Sequence, residues 1–285
     1  MSETSGASMR APRWQRGLQI IALLGSGLFA LDAHAKVAAA EAAKLGTELT
    51  PLGAEAAANA AGTIPKWSGG LPQAEMLRGS HPFASEKPLY TVTAQNVAQH
   101  AALLTEGHRA LFKTFPDYVM NVYPTHRSAS YPAWFYDATK RNATTVELSN
   151  NGHGFCCAAQ GYPFPIPKNG TEVMWNHILR YNTQGLRGFL NHAAVAADGS
   201  YVVQRDYVEL AFAYNNPKAT PESIKGMNVF IFNKTVAPPN LAGEAHLLHV
   251  PLDRIKDQTG VWVFNNTVGR PRRIGEVGYD NPLFD

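Results

Sequence analysis

From about residue 186 onward, hydrophobic and polar positions alternate with a period near two. The stretches GSYVVQRDYVELAFAYN (199–215), GMNVFIFNKTVAPPN (226–240), GEAHLLHVPLD (243–253), GVWVFNN (260–266) and GRPRRIG (269–275) each read as a strand. Turn residues such as Asn215-Asn216-Pro217 and Pro238-Pro239-Asn240 separate them. The gaps hold no helix, so neighbouring strands are predicted to run antiparallel. Both faces of the alternation are bulky, however. Val202, Val208, Leu210 and Phe212 fall on one face and Tyr201, Val203 and Tyr207 on the other, and Met227, Val229 and Ile231 oppose Phe230 and Phe232. A sheet with one face in water shows a cleaner polar set. These strands are therefore expected to be covered on both sides, or to line an apolar cavity with one.

Upstream the period lengthens. KVAAAEAAKLGT (36–47) predicts a short helix. LTPLGAEAAANAAGTIPKWSGGLP (49–72) is broken repeatedly by Pro and Gly and reads as an extended strap with Trp67 as its anchor. Residues 36–92 thus form a helix-and-strap segment ahead of 93–285, where helices come first and the sheet follows. A helix is predicted from Thr93, with Val97, Ala101, Leu104, Leu111 and Phe115 on one stripe and a break near Gly107. YVMNVYPTHRSASYP (118–132) reads as a strand and turn, and AWFYDATKRNATTVEL as a short helix passing into a strand. In GYPFPIPKNGTEVMWNHILRY (161–181) three prolines stiffen an extended lead-in. Thr171 is expected to cap the helix that follows, which carries Trp175 and Ile178 toward the sheet. Both residues, with Tyr207, Phe230, Phe232, Trp262 and Phe264, are candidate walls of an apolar cavity.

The composition is 45% hydrophobic and 16% charged, and the net charge of +3 is too small for a dedicated nucleic-acid binder. Arg10, Arg13 and Arg16 precede LQIIALLGSGLFAL (18–31) and the small-x-small triplet Ala33-His34-Ala35. That order is a secretory signal, residues 1–35, with cleavage expected after Ala35, and the apolar run is short of the roughly 20 residues a spanning helix needs. Without it the chain carries 22 basic and 20 acidic residues. An exported protein is expected.

Catalytic constellations are poor. There is no His-Glu-x-x-His, and no glycine-rich phosphate loop precedes a helix. His246 and His249 are three apart, which on a strand places them on opposite faces and argues against a shared metal. His153 near Cys156 and Cys157, or His177 with Arg180, would be the groups of an exported hydrolase, the least favoured reading. The two cysteines are adjacent, so pairing them closes only a small strained ring and staples nothing distant. Two packed small side chains is the favoured reading for them. No cofactor, metal site or enzymatic role is expected.

The phrases ELTPLGAEAAANAAGTIPKWSGGLP, NVYPTHRSASYPAWFYDATKRNAT, PFPIPKNGTEVMWNHILRY and AGEAHLLHVPLDRIKDQTGVWVFNNTVGRPRRIGEVGYDNP resemble the DUF1329 family of Gram-negative bacteria, over about Glu48 to Pro282. The resemblance implies an α+β fold like the LolA and LolB lipoprotein carriers: a curved antiparallel half-barrel with helices closing its concave face. It also implies a periplasmic part in moving lipid or other hydrophobic compounds between membranes, beside an RND-type exporter and an outer-membrane DUF1302 protein, with only transient contact with a membrane surface. A scaffold or adaptor without a ligand is the alternative. Family members run on beyond the Tyr279–Pro282 phrase, so a half-barrel ending at Asp285 is expected to be incomplete. Cys156-Cys157 stands where the family has small, glycine-rich residues.

Overall fold

The structure, a computed structural model, describes residues 36–72 and 81–275. The leader with its cleavage after Ala35 and the phrase Tyr279–Pro282 lie outside the described residues. The chain is α+β, and its main body is a six-stranded antiparallel sheet.

The first short helix, α1 (Ala39–Ala42), buries Ala42 and the following Leu45 against Ala143. The strap then turns tightly, with Thr50 N–H donating to Ala54 O at 2.7 Å, and returns alongside itself through Trp67 N–H to Ala56 O at 2.9 Å. Strand β1 (Tyr90–Val92) pairs antiparallel with β2 (Met120–Val122). Between them a 3-10 turn (Val97–Leu103) leads to α2 (Glu106–Thr114). The helical stripe breaks at Leu104 and Thr105 rather than at Gly107. Thr105 takes up the helix N-cap, its Oγ1 accepting from His108 N–H at 3.2 Å. Next come α3 (Ala133–Asn142) and a small hairpin of β3 (Glu147–Ser149) with β4 (Gly154–Cys156).

Helix α4 (Gly170–Ile178) follows the proline run. Its cap is Asn169, not Thr171. The Asn169 side chain accepts from Glu172 N–H at 3.0 Å, and the buried Glu172 carboxylate reaches back to Lys168 N–H at 2.6 Å. An acid in the first turn also meets the positive end of the helix dipole. The prolines are scaffold: Pro163 and Pro165 are fully buried. Asn176 makes a reciprocal pair with the Phe164 backbone, donating at 2.6 Å and accepting at 3.0 Å.

The sheet is a meander of β5 (Gly185–Val195), β6 (Tyr201–Phe212), β7 (Met227–Ala237), β8 (Ala245–Pro251), β9 (Gly260–Asn265) and β10 (Arg270–Ile274), in that spatial order. A one-turn helix, α5 (Pro221–Ile224), precedes β7. The alternation is expected from about residue 186 but the first delimited strand starts at 199, so β5 is an addition to that set. Its sequence, GLRGFLNHAAV, alternates too weakly for a half-buried strand because it is exposed along nearly its whole length. Among the described residues β5 and β10 are the two edges, so the sheet stays open and closes no barrel.

Two cores hold these elements. One joins Phe155, Phe164, Trp175 and Leu179 to Tyr214 and Leu252 at the ends of β6 and β8. Each large apolar side chain so buried contributes on the order of 1.5–3 kcal/mol. The second is built from sheet residues, with Val229, Leu248, Val250 and Val261 buried and Leu210, Phe212, Ile231 and Val263 around them. Helix α4 therefore packs at the end of the sheet rather than across a hollow, and among the described residues no helix closes a concave face of the sheet.

Candidate functional site

Strand register assigns every sheet residue to a face. Leu210 pairs with Ile231, Ile231 with Leu248, and Leu248 with Val261, which puts the second core on one side. On the other side Tyr207 pairs with Lys234, Glu209 with Phe232, Ala211 with Phe230, Phe232 with Leu247, Leu247 with Trp262, and Ala245 with Phe264. Five predicted wall residues (Tyr207, Phe230, Phe232, Trp262 and Phe264) thus share one face. All five are half-buried.

This face is built by cross-strand ring contacts. Phe230 meets His249 edge-on with centroids 4.8 Å apart, and His249 meets Trp262 at 4.6 Å. Phe189 on β5 contacts Tyr207 at 5.6 Å. Two cations lie over aromatic rings: Arg205 is 4.4 Å from the Phe189 centroid and Arg273 is 5.5 Å from that of Trp262. The indole of Trp262 folds back over Gly260, where an added Cβ would come within 2.7 Å of the ring. A glycine at this position lets the indole lie flat along the sheet.

A trough of about 480 Å³ opens on the same face. It exists because the cross-strand row Gly185, Ala211 and Phe230 runs from two small residues to a large one. Gly185 and Ala211 make the floor, Phe230, Phe232 and Leu247 the apolar wall, and Arg187 with Glu209 the charged rim. The Glu209 carboxylate accepts the Tyr207 hydroxyl, and that bond pushes the Tyr207 pKa up. The arrangement can take an apolar chain along its wall and a polar group at its rim.

The remaining two predicted wall residues are elsewhere. Trp175 is a core residue: its ring packs on Phe155 at 5.0 Å and its Nε1–H donates to Gly152 O at 3.0 Å. Ile178 is exposed on α4. The structure does not bring either to the strand aromatics.

Other candidates also resolve. His246 and His249 fall on opposite faces, as their spacing predicts. His177 receives the Arg180 guanidinium at its carbonyl at 2.9 Å, a contact within one helix end. Cys156 and Cys157 are bonded to each other, which corrects the expectation of two packed side chains. Sequence reasoning missed a polar stripe on the buried face. There Asp206, 1% exposed, accepts from Gln204 Nε2 at 3.1 Å and 3.2 Å and lies 3.2 Å from His192 Nε2. Thr235 and His246 continue the stripe, and burial lowers the His246 pKa against the opposing pull of Glu244 and Asp206. The signal was the row Gln204, Asp206 within an otherwise apolar face.

An open antiparallel sheet, buried on one side and aromatic with a trough on the other, places the chain among α+β proteins with an accessible apolar face. The family profile described as protein of unknown function (DUF1329) matches residues 91–285, and the chain belongs to that family. It is 44% identical over 268 residues to the uncharacterized protein PA3922 of Pseudomonas aeruginosa, a match covering 91% of this chain and 58% of that protein. The chain thus spans a little over half the length of this relative. No solved structure matches it. Among the described residues, no helix is long and apolar enough to cross a membrane.

Proposed function

We propose that the protein is a periplasmic carrier or accessory protein that binds a lipid chain or similar hydrophobic ligand on the aromatic face of its sheet. The supporting observation is the asymmetry of that sheet. One face is a buried core, while the other keeps Phe230, Phe232, Trp262 and Phe264 partly exposed, the first two of them lining a trough. Partly exposed aromatics in a row forgo part of their burial energy, which an apolar ligand would recover at about 25 cal/mol per Å² covered. In this reading the ligand moves between inner and outer membranes, with an RND-type exporter and an outer-membrane DUF1302 protein as partners.

The test is mass spectrometry of organic extracts from protein purified out of its native envelope, paired with titration of a fluorescent fatty acid. Co-purifying lipid and saturable probe uptake that Phe232→Ala reduces support the reading; no lipid and no uptake refute it.

A second reading, an adaptor without a ligand, draws on the β5–β6 hairpin. Leu190, Val195, Tyr201 and Val202 are each at least half exposed there, and β6 joins β7 only from Arg205. Crosslinking in cells separates the two, since an adaptor keeps its partners when Phe230→Arg fills the trough.

A further inference from the structure

We propose that the cleft beneath the strap is a second ligand site, for a small organic anion with a planar aromatic body. The cleft is separate from the sheet trough and holds about 430 Å³, within the range of small-molecule sites. Its walls come from two places in the chain. Thr50–Ala54 and Trp67 belong to the strap, and Arg127, Ala129, Tyr131, Tyr136 and Tyr162 belong to the body. A ring entering between Trp67 and the three tyrosines meets aromatic surface on both sides, which favours stacked or edge-on contact with a flat molecule.

The polar groups at these walls include tyrosine hydroxyls and a guanidinium. Burial pushes the Tyr136 and Tyr162 hydroxyls up, so both stay protonated. Tyr162 is hydrogen-bonded to Tyr131 and feels the positive charge of Arg180. Arg127 is the principal cation. Its Nη2 donates to Glu55 O at 2.7 Å, and its Nη1 to Ala56 O at 3.2 Å, Ala57 O at 3.4 Å and Pro65 O at 3.5 Å. These are all neutral carbonyls. No described carboxylate pairs with this guanidinium, and its Nε–H takes no part in these bonds. His126, which also lines the cleft, holds the Glu86 carboxylate through Nε2 at 2.8 Å. The Arg180 guanidinium, which reaches Tyr162 by its charge, bonds to His177 at its own helix end.

An aromatic cleft that carries the Arg127 guanidinium without an acid partner selects against cations. It favours a carboxylate or sulfonate on a flat ring, which a guanidinium recognises by charge-assisted hydrogen bonds. The same Arg127 holds the strap in place, so ligand and strap closure share one residue.

The experiment is isothermal titration of the full chain with 2-naphthoate and, in parallel, its neutral counterpart 2-naphthamide. Arg127 substitutions would release the strap, so the blocking variants are Ala129→Trp and Leu52→Trp, which fill the cleft from opposite walls. Naphthoate is expected to bind at least about tenfold tighter than naphthamide, and each blocking variant with an unchanged melting temperature to lose about tenfold or more. Phe232→Ala, in the sheet trough, is expected to leave naphthoate affinity within about twofold. The proposal is overturned by absence of naphthoate binding to the unsubstituted protein, by equal affinity for the amide, or by binding that either blocking variant preserves. Loss in Phe232→Ala alone would assign the probe to the trough and overturn it as well.

Discussion

His192 Nε2 lies 3.2 Å from a carboxylate oxygen of Asp206, and the two differ sharply in exposure, 53% against 1% at the side chain. They sit diagonally on adjacent strands, since Asp206 pairs with Leu190 and His192 with Gln204. Gln204 fixes the same carboxylate from its own strand. The carboxylate is thus the shared acceptor of a network, and the imidazole is a surface partner.

Removing either group should therefore have unequal effects. Asp206→Ala leaves the Gln204 amide only its 3.5 Å contact to Thr235 Oγ1 and opens a gap beside that buried residue, and is expected to cost about 2–4 kcal/mol. His192→Ala removes a solvent-screened contact and is expected to cost less than about 1 kcal/mol. Urea unfolding of the two variants measures both, and similar losses would show that the imidazole carries the network.

The pH dependence of stability should carry a signature of His246. Burial lowers its pKa in the folded protein, outweighing Glu244 and Asp206, which favour the charged form. As pH falls below the ordinary histidine value, the unfolded chain takes up the proton before the folded one. The contribution is therefore fully present above about 6.5 and is lost as pH falls through the lower folded value. Between about pH 7.5 and 5, the melting temperature of the unsubstituted protein should fall more steeply than that of His246→Gln. Parallel curves would place the imidazole in contact with solvent.

Much of this sheet could be read from the chain, and the parts that could not have physical reasons. Strands β6 to β10 announce themselves because turn residues bracket each alternating run. Strand β5 does not, because an edge strand exposed on both sides has no core to enforce alternation, and Gly188, Asn191 and His192 interrupt its apolar positions. Five candidate aromatic residues share one face because period-two spacing orders each strand and the cross-strand register aligns them. Trp175 was misplaced because a helix position gives the direction of a side chain on its own element and not the element it meets. Asn169 won the cap over Thr171 because Glu172 one turn in could reciprocate at Lys168. The half-barrel came from the family resemblance, not from any residue pattern, and the sheet is open.

The bond between Cys156 and Cys157 closes no loop of the chain, as the two are sequence neighbours. Crosslinks stabilise chiefly by restricting long loops of the unfolded state, so this one has almost nothing to restrict. Cys156→Ser/Cys157→Ser is expected to shift stability by no more than about 1 kcal/mol, as is treatment with a thiol reductant. Differential scanning calorimetry with and without reductant checks it. A large drop would mean that the bond holds the left-handed Cys157 backbone (φ 75°) in a conformation the β4 exit requires.

Trp175 and Phe230 give the sharpest contrast between scaffold and site. Trp175 is 8% exposed, packs on Phe155 and donates its indole N–H to the Gly152 carbonyl. Trp175→Ala leaves a cavity and an orphaned carbonyl, and should cost about 3–5 kcal/mol. The protein that remains folded should still bind an apolar probe, because the trough lies on the far side of the sheet from the second core and contains no part of α4. Phe230 stands partly exposed at that trough, so Phe230→Ala should cost about 1–2 kcal/mol in stability yet weaken fatty-acid probe binding by about tenfold. Denaturant curves and probe titrations on the two variants form a crossed pair. If Trp175→Ala lost binding while keeping its stability, the indole would belong to the ligand wall after all, and the trough would have to extend to the end of the sheet.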